Sequence, residues 1–223
     1  MQAFHNDPAI KEKYLARVRA HAAADEIIHG KYWEDGKGCA VGCTVHSGNH
    51  AAYETELGIP QWLARVEDRL FEGMTNGTSM TWPIRFLEAI PVGADLQPLL
   101  IPFLIIIVEK AKTRFDHKKY PKQLAAIDNV LSKLKAGASE KDLRDADADA
   151  AAADADAAAY AYAAADADAD ADAAAAAYAY AAAYAAAAAA YAAYADAYAA
   201  YADARSREYE YFAEELLKLL KAA

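Results

Sequence analysis

The sequence predicts an all-α protein: a compact helical body over residues 1–138 followed by a long Ala/Asp/Tyr-rich amphipathic helix over 139–223. Three observations point there. Apolar residues recur at three and four residue steps between Pro and Gly punctuation through most of the first 137 residues. Residues 145–204 are sixty consecutive positions made of 40 Ala, 11 Asp and 9 Tyr. No Gly or Pro follows Gly137, so nothing stops propagation of the strongest helix former.

The body opens with a helix expected over 8–28, begun at Pro8, with Ile10, Tyr14, Arg17, Val18, His21 and Ala22 recurring at three and four residue steps and Gly30 ending it. Residues 31–49 then gather Gly36, Gly38, Gly42 and Gly48 among Val41, Thr44 and Val45. This favours a Gly/Cys/His-rich loop or short strand over a helix. Helix returns over 50–57, stops at Gly58 and restarts at Pro60, with Trp62, Val66, Leu70 and Phe71 as an apolar stripe closed by Gly73. Ser79 caps a helix bearing Trp82, Phe86, Leu87 and Ile90, which Pro91 stops. Residues 95–113 read as a central helix, apolar nearly all round, with a buried strand over 104–108 as the alternative because Ile105, Ile106, Ile107 and Val108 are β-branched. An amphipathic helix over 122–135 ends at Gly137, and Ser139 caps the last helix.

Along that last helix, with successive residues 100° apart, Tyr162, Tyr180, Tyr184, Tyr191, Tyr194, Tyr198 and Tyr201 fall within an arc of about 100°. Tyr209, Phe212, Leu216, Leu219 and Leu220 continue the stripe. Asp154, Tyr160 and Tyr162 recur eighteen residues later as Asp172, Tyr178 and Tyr180, a spacing of five whole turns that preserves the face. A straight helix of this length would extend about 125 Å, so its stripe needs cover. Self-association as a coiled coil fits Tyr184, Tyr191 and Tyr198 at heptad spacing. Folding back onto the body is the alternative, and slippage of repetitive codons is a third account of the tract.

Charge is divided as unevenly as composition. Of the formal −10, the sixty-residue block carries −11, leaving the rest at +1. The longest charge-free apolar run, 99–108, is interrupted by Pro102, so no membrane span is expected. The first thirty residues lack the apolar core of a secretory signal, and two cysteines make no disulfide framework; the expected location is cytoplasmic.

Four residues carry the clearest chemistry. Cys39, Cys43, His46 and His50 supply two thiolates and two imidazoles, a donor set suited to zinc, although the spacing is unusual and buried cysteines with surface histidines are the simpler reading. Cys43 with His46 as its base is a nucleophile variant of the same idea. The glycines of 36–42 could offer amides to an anion but lack Walker A spacing. Lys110, Lys112, Arg114, Lys118, Lys119 and Lys122, with Lys133 and Lys135 beyond them, form a basic segment that suits phosphate contacts or a solvated helix face.

The segment Trp33-Glu34-Asp35-Gly36-Lys37-Gly38-Cys39-Ala40-Val41-Gly42-Cys43-Thr44, with Glu56-Leu57-Gly58-Ile59-Pro60 and Ile90-Pro91-Val92-Gly93-Ala94-Asp95-Leu96, resembles a set of uncharacterised proteins of phage and bacterial genomes that end in Ala-rich helices. The resemblance implies a genetic context and no activity. The sequence thus reads as a non-enzymatic interaction protein, a phage-borne modulator or inhibitor of a host system. It would act through Tyr180, Tyr184, Tyr191, Tyr194, Tyr198 and Tyr201 and an acidic arm whose Asp rows imitate nucleic-acid phosphates. No cofactor is required by this reading, with zinc the candidate if one is held. The alternatives are a small enzyme using the Cys/His loop and a nucleic-acid binder using residues 110–135.

Overall fold

The computed structural model describes residues 1–113, 118, 121–137 and 198–223. These residues are mostly helical, with one two-stranded hairpin. In chain order the elements are a 3-10 turn (Ala3–Asn6), α1 (Pro8–Ala23), β1 (Trp33–Glu34), β2 (Lys37–Gly38), α2 (Ala40–Val45), α3 (Ala52–Leu57), α4 (Gln61–Gly73), α5 (Asn76–Ser79) and α6 (Trp82–Ala89). A second 3-10 turn (Gln97–Leu99), α7 (Leu100–Lys112), α8 (Pro121–Lys135) and α9 (Tyr198–Ala222) follow. No described helix is long and apolar enough to cross a membrane.

Two compact units are present, Met1–Leu100 with Ala199–Ala223, and Ile101–Tyr198. The described end of the C-terminal segment, α9, belongs to the first unit. Its Phe212, Ala213, Leu216, Leu217 and Leu220 are buried, so the leucine-rich end of the stripe is covered within the first unit, here called the head. Arg85 Nη2 donates to Glu214 Oε1 at 2.5 Å and Thr78 Oγ1 to Glu210 Oε1 at 2.7 Å, fixing α9 beside α5 and α6. The expected helix start at Ser139 and the tract to residue 197 lie outside the described residues.

In the head, α2 is the central element: all six of its residues are buried, and α1, α4 and α6 pack on it. Tyr14, Leu15 and Val18 of α1, Leu63, Val66 and Phe71 of α4, and Trp82, Phe86 and Leu87 of α6 fill the core. The helical α2 replaces part of the loop expected over 31–49, because full burial outweighs the poor helix propensity of its glycine. Helix α1 stops at Ala23, short of the expected 28. Asp25 enters the left-handed region, and the chain then runs beside β2, with Gly38 N–H donating to Glu26 O at 3.0 Å and Ile28 N–H to Gly38 O at 2.8 Å. In the second unit α7 is helical throughout, which excludes a strand over 104–108, and Lys135 Nζ pairs with Glu109 Oε1 at 2.6 Å between α8 and α7.

Among the described residues, one carboxyl group lies wholly inside the head. Glu67 of α4 is fully buried, accepts a hydrogen bond from Tyr53 Oη at 2.5 Å, and has its other oxygen unpartnered. Burial pushes its carboxyl pKa well above the ordinary range. The folded state therefore holds this proton more tightly than the unfolded chain. Its contribution to stability is complete below the ordinary carboxyl pKa and is lost as pH rises toward the folded value. Urea unfolding of the wild type should show a fall above about pH 5 of up to about 1.4 kcal/mol per pH unit from this group. Glu67→Gln, which keeps an acceptor for Tyr53, should flatten that fall; an unchanged slope in Glu67→Gln would place the titration elsewhere.

Candidate functional site

The β1–β2 hairpin turns on Asp35 and Gly36, both at positive φ (51° and 82°), the two-residue turn whose twist matches antiparallel strands. Its register pairs Trp33 with Gly38 and Glu34 with Lys37. Ahead of it, the backbone carbonyl of Tyr32 lies against the Cα atoms of Gly38 and Gly42. A Cβ at those positions would stand 2.0 Å and 1.5 Å from that oxygen. Only glycine permits this approach. Its consequence is to fix two adjacent aromatic residues over two histidines: Tyr32 meets His50 edge-on at 5.5 Å, and Trp33 stacks on His46 at 4.3 Å and 14°.

Beside Tyr32 lies the first cluster. Cys39, at the N-cap of α2, and Asp68 and Glu72, one turn apart on α4, bring a sulfur and two carboxylate oxygens within 4.8 Å of one another. His50 Nε2 is 3.5 Å from Asp68 Oδ2, and His29 Nδ1 is 3.4 Å from Glu72 Oε2. His29 is itself held by Ser79 Oγ at 2.8 Å and by stacking on Phe71, while Gly30 N–H donates to the Glu72 carboxylate at 3.0 Å. Asp68 Oδ1 is buried without a hydrogen-bond partner. Burial and then the neighbouring Asp68 push the Cys39 thiol pKa far up, only partly opposed by the N–H groups of Gly42 and Val41. A thiol and two carboxylates converge on one point, with the His50 imidazole against one of those carboxylates, and a cation there would reverse that thiol's preference for its proton.

Beside Trp33 lies the second cluster. His21 Nδ1 is 2.6 Å from Glu26 Oε2, and His21 Nε2 is 2.8 Å from His46 Nε2. His46 caps α2 in the left-handed region at φ 53°. Burial, then the nearby charges of Arg17 and His21, lower its pKa.

The four residues singled out in the sequence are therefore divided. Cys39 and His50 belong to the first cluster and His46 to the second, while Cys43 belongs to neither. The helical phase that would have aligned all four ends at His46. Cys43 is fully buried, its thiol donating to Gly38 O at 3.3 Å, and burial pushes its pKa up to about 12, which favours the thiol over the nucleophilic thiolate. Asp68, Glu72, His21, His29 and Glu26 complete the clusters; spacing does not join them to the Cys/His set, because they come from other parts of the chain. The one available signal was the pair of acids four apart on α4.

The glycine segment does not cradle an anion through Gly38, Cys39 or Cys43, whose amides donate to Glu26 O, Lys31 O and Cys39 O. In the basic segment, Lys110 and Lys112 lie in the last turn of α7 and Lys112 pairs with Asp128 of α8. Lys118 lies in a turn, Lys122 is in α8 with its side chain outside the described residues, and Arg114 and Lys119 lie outside them. Tyr180, Tyr184, Tyr191 and Tyr194 also lie outside them, and of Tyr198 and Tyr201 only the helical backbone of α9 is described. No family model, curated protein or solved structure matches the chain, so a functional reading rests on the geometry of these side chains.

Proposed function

We propose that the head is a zinc-binding module and that it anchors an interaction protein. The observation that carries the first part is the convergence of Cys39, Asp68 and Glu72, with His50 against Asp68 and a buried carboxylate oxygen left unpartnered. A thiolate and an imidazole favour zinc over magnesium or calcium, which prefer oxygen donors alone. Held there, the ion would tie the 39–50 segment to α4 and stabilise the head by mass action. Elemental analysis of the full chain equilibrated with zinc and desalted should give about one ion per chain. Cys39→Ser and Asp68→Asn should each weaken binding at least about tenfold, while Cys43→Ser should retain it. Absence of zinc from the wild type, or its retention in both variants, would overturn the reading.

The interaction part keeps the long amphipathic helix of residues 139–223 and its acidic face. What supports it is the docking of Phe212, Leu216 and Leu220 in the head: the leucine-rich end of the stripe has its cover there. The tyrosine-rich stretch Tyr180 to Tyr201 precedes it on the same expected face and needs a cover of its own. A second copy supplies one by heptad pairing of Tyr184, Tyr191 and Tyr198. A phage-borne modulator that offers a host protein rows of Asp in place of nucleic-acid phosphates is the sharper form of this reading. Light scattering of the full chain should give a mass above the 24.0 kDa of one chain. Replacing Tyr184, Tyr191 and Tyr198 together by Ala should return it to one chain's mass; a wild type of single-chain mass would contradict self-association.

A further inference from the structure

We propose that His21 and His46 form a second metal site, separate from the thiolate cluster and suited to Cu(II) or Ni(II). Two imidazole nitrogens, His21 Nε2 and His46 Nε2, face one another at 2.8 Å. Two bonds of about 2.0 Å at a right angle place their donor atoms about 2.8 Å apart, whereas a tetrahedral angle places them about 3.3 Å apart. The separation therefore matches adjacent corners of a square-planar or tetragonal site, the geometry these two ions favour with nitrogen donors.

The supporting groups have the arrangement that such a site requires. A carboxylate can only accept, so Glu26 holds the hydrogen of His21 on Nδ1 and leaves its Nε2 lone pair directed at His46. The ring of His46 is held by stacking on Trp33, and the ring of His21 meets both Trp33 and His46 edge-on, at 5.3 Å and 5.0 Å. With both rings neutral and no ion, the hydrogen held on His21 Nδ1 by Glu26 leaves His46 Nε2–H as the donor to His21 Nε2. With an ion, the His46 hydrogen moves to Nδ1 of the same ring and both Nε2 lone pairs meet the ion, so the neutral rings lose no proton overall. Arg17, the nearby cation, donates to Thr44 O at 2.8 Å and lies over the Tyr14 ring, whose hydroxyl donates to Glu56. Glu56 and Glu26 act against its charge at His46. His46 is exposed, which leaves the remaining corners open to water or a small ligand.

This site does not rest on the zinc reading. Cu(II) titrated into the full-length Cys39→Ser protein near neutral pH, followed by electron paramagnetic resonance, should show one tight site with coupling to two nitrogens. His46→Ala in that background should lower affinity at least tenfold, and Glu26→Gln should lower it by about 10 to 100-fold. The exposed His46 can also be replaced in the otherwise wild-type chain, which gives the same comparison if Cys39→Ser fails to fold. Equal Cu(II) binding with and without the His46 ring, or no nitrogen coupling, would overturn the proposal. Loss of copper on removing Cys39 alone, with none lost on removing His46, would do so as well.

Discussion

The head is organised around one backbone contact, the carbonyl of Tyr32 resting on the Cα atoms of Gly38 and Gly42. Side chains at those positions would drive the 31–34 segment off α2. With glycines there, the strand entering the hairpin lies directly on the buried central helix. Cys39 N–H donates to Lys31 O at 2.7 Å, which closes the same contact from its other end. The left-handed turn at Asp35 and Gly36 returns the chain within two residues, so that β2 leads straight into the Cys39 cap of α2. Residues 31–45 thus behave as one unit in which each local choice supports the next.

The same contact delivers Tyr32, in the bend before β1, and Trp33, the first residue of β1, to different places. Tyr32 covers His50 next to the acids of α4, and Trp33 covers His46 next to His21 and Glu26 at the end of α1. The two clusters have different chemistry. One pairs a thiol with carboxylates, and the other is built on two imidazoles with a carboxylate behind them. Both sit where α2 meets a neighbouring helix, and the early end of α1 is what brings Glu26 beside both β2 and His21.

Much of the helical content was legible because it follows local rules: the Pro8 start of α1, the Gly58 stop, the Trp62 to Phe71 stripe and the Pro91 stop all appear where spacing and punctuation put them. The hairpin was legible in part. Asp35-Gly36 is the pairing that a two-residue left-handed turn demands, but its strands are only two residues long and carry no alternation to advertise it. The helical state of α2 was hidden by glycines whose purpose is tertiary. Cys39 and His50 could be picked out as metal donors, whereas Asp68 and Glu72 could not be joined to them, since they lie eighteen or more residues away and meet them only through packing. The fold-back of residues 199–223 was one of two alternatives the stripe allowed, and the cover found by Phe212 and Leu216 decides it for that end.

The backbone contact is tested most directly by the unfolding free energy of Gly42→Ala. Within a helix this substitution ordinarily stabilises by about 0.5 to 1 kcal/mol, so the sign alone is informative. With a Cβ required 1.5 Å from the Tyr32 carbonyl oxygen, the variant should instead lose about 3 kcal/mol or more. Gly36→Asn, at a left-handed position with open space around it, should lose less than about 1 kcal/mol. A Gly42→Ala protein as stable as the wild type would contradict the account.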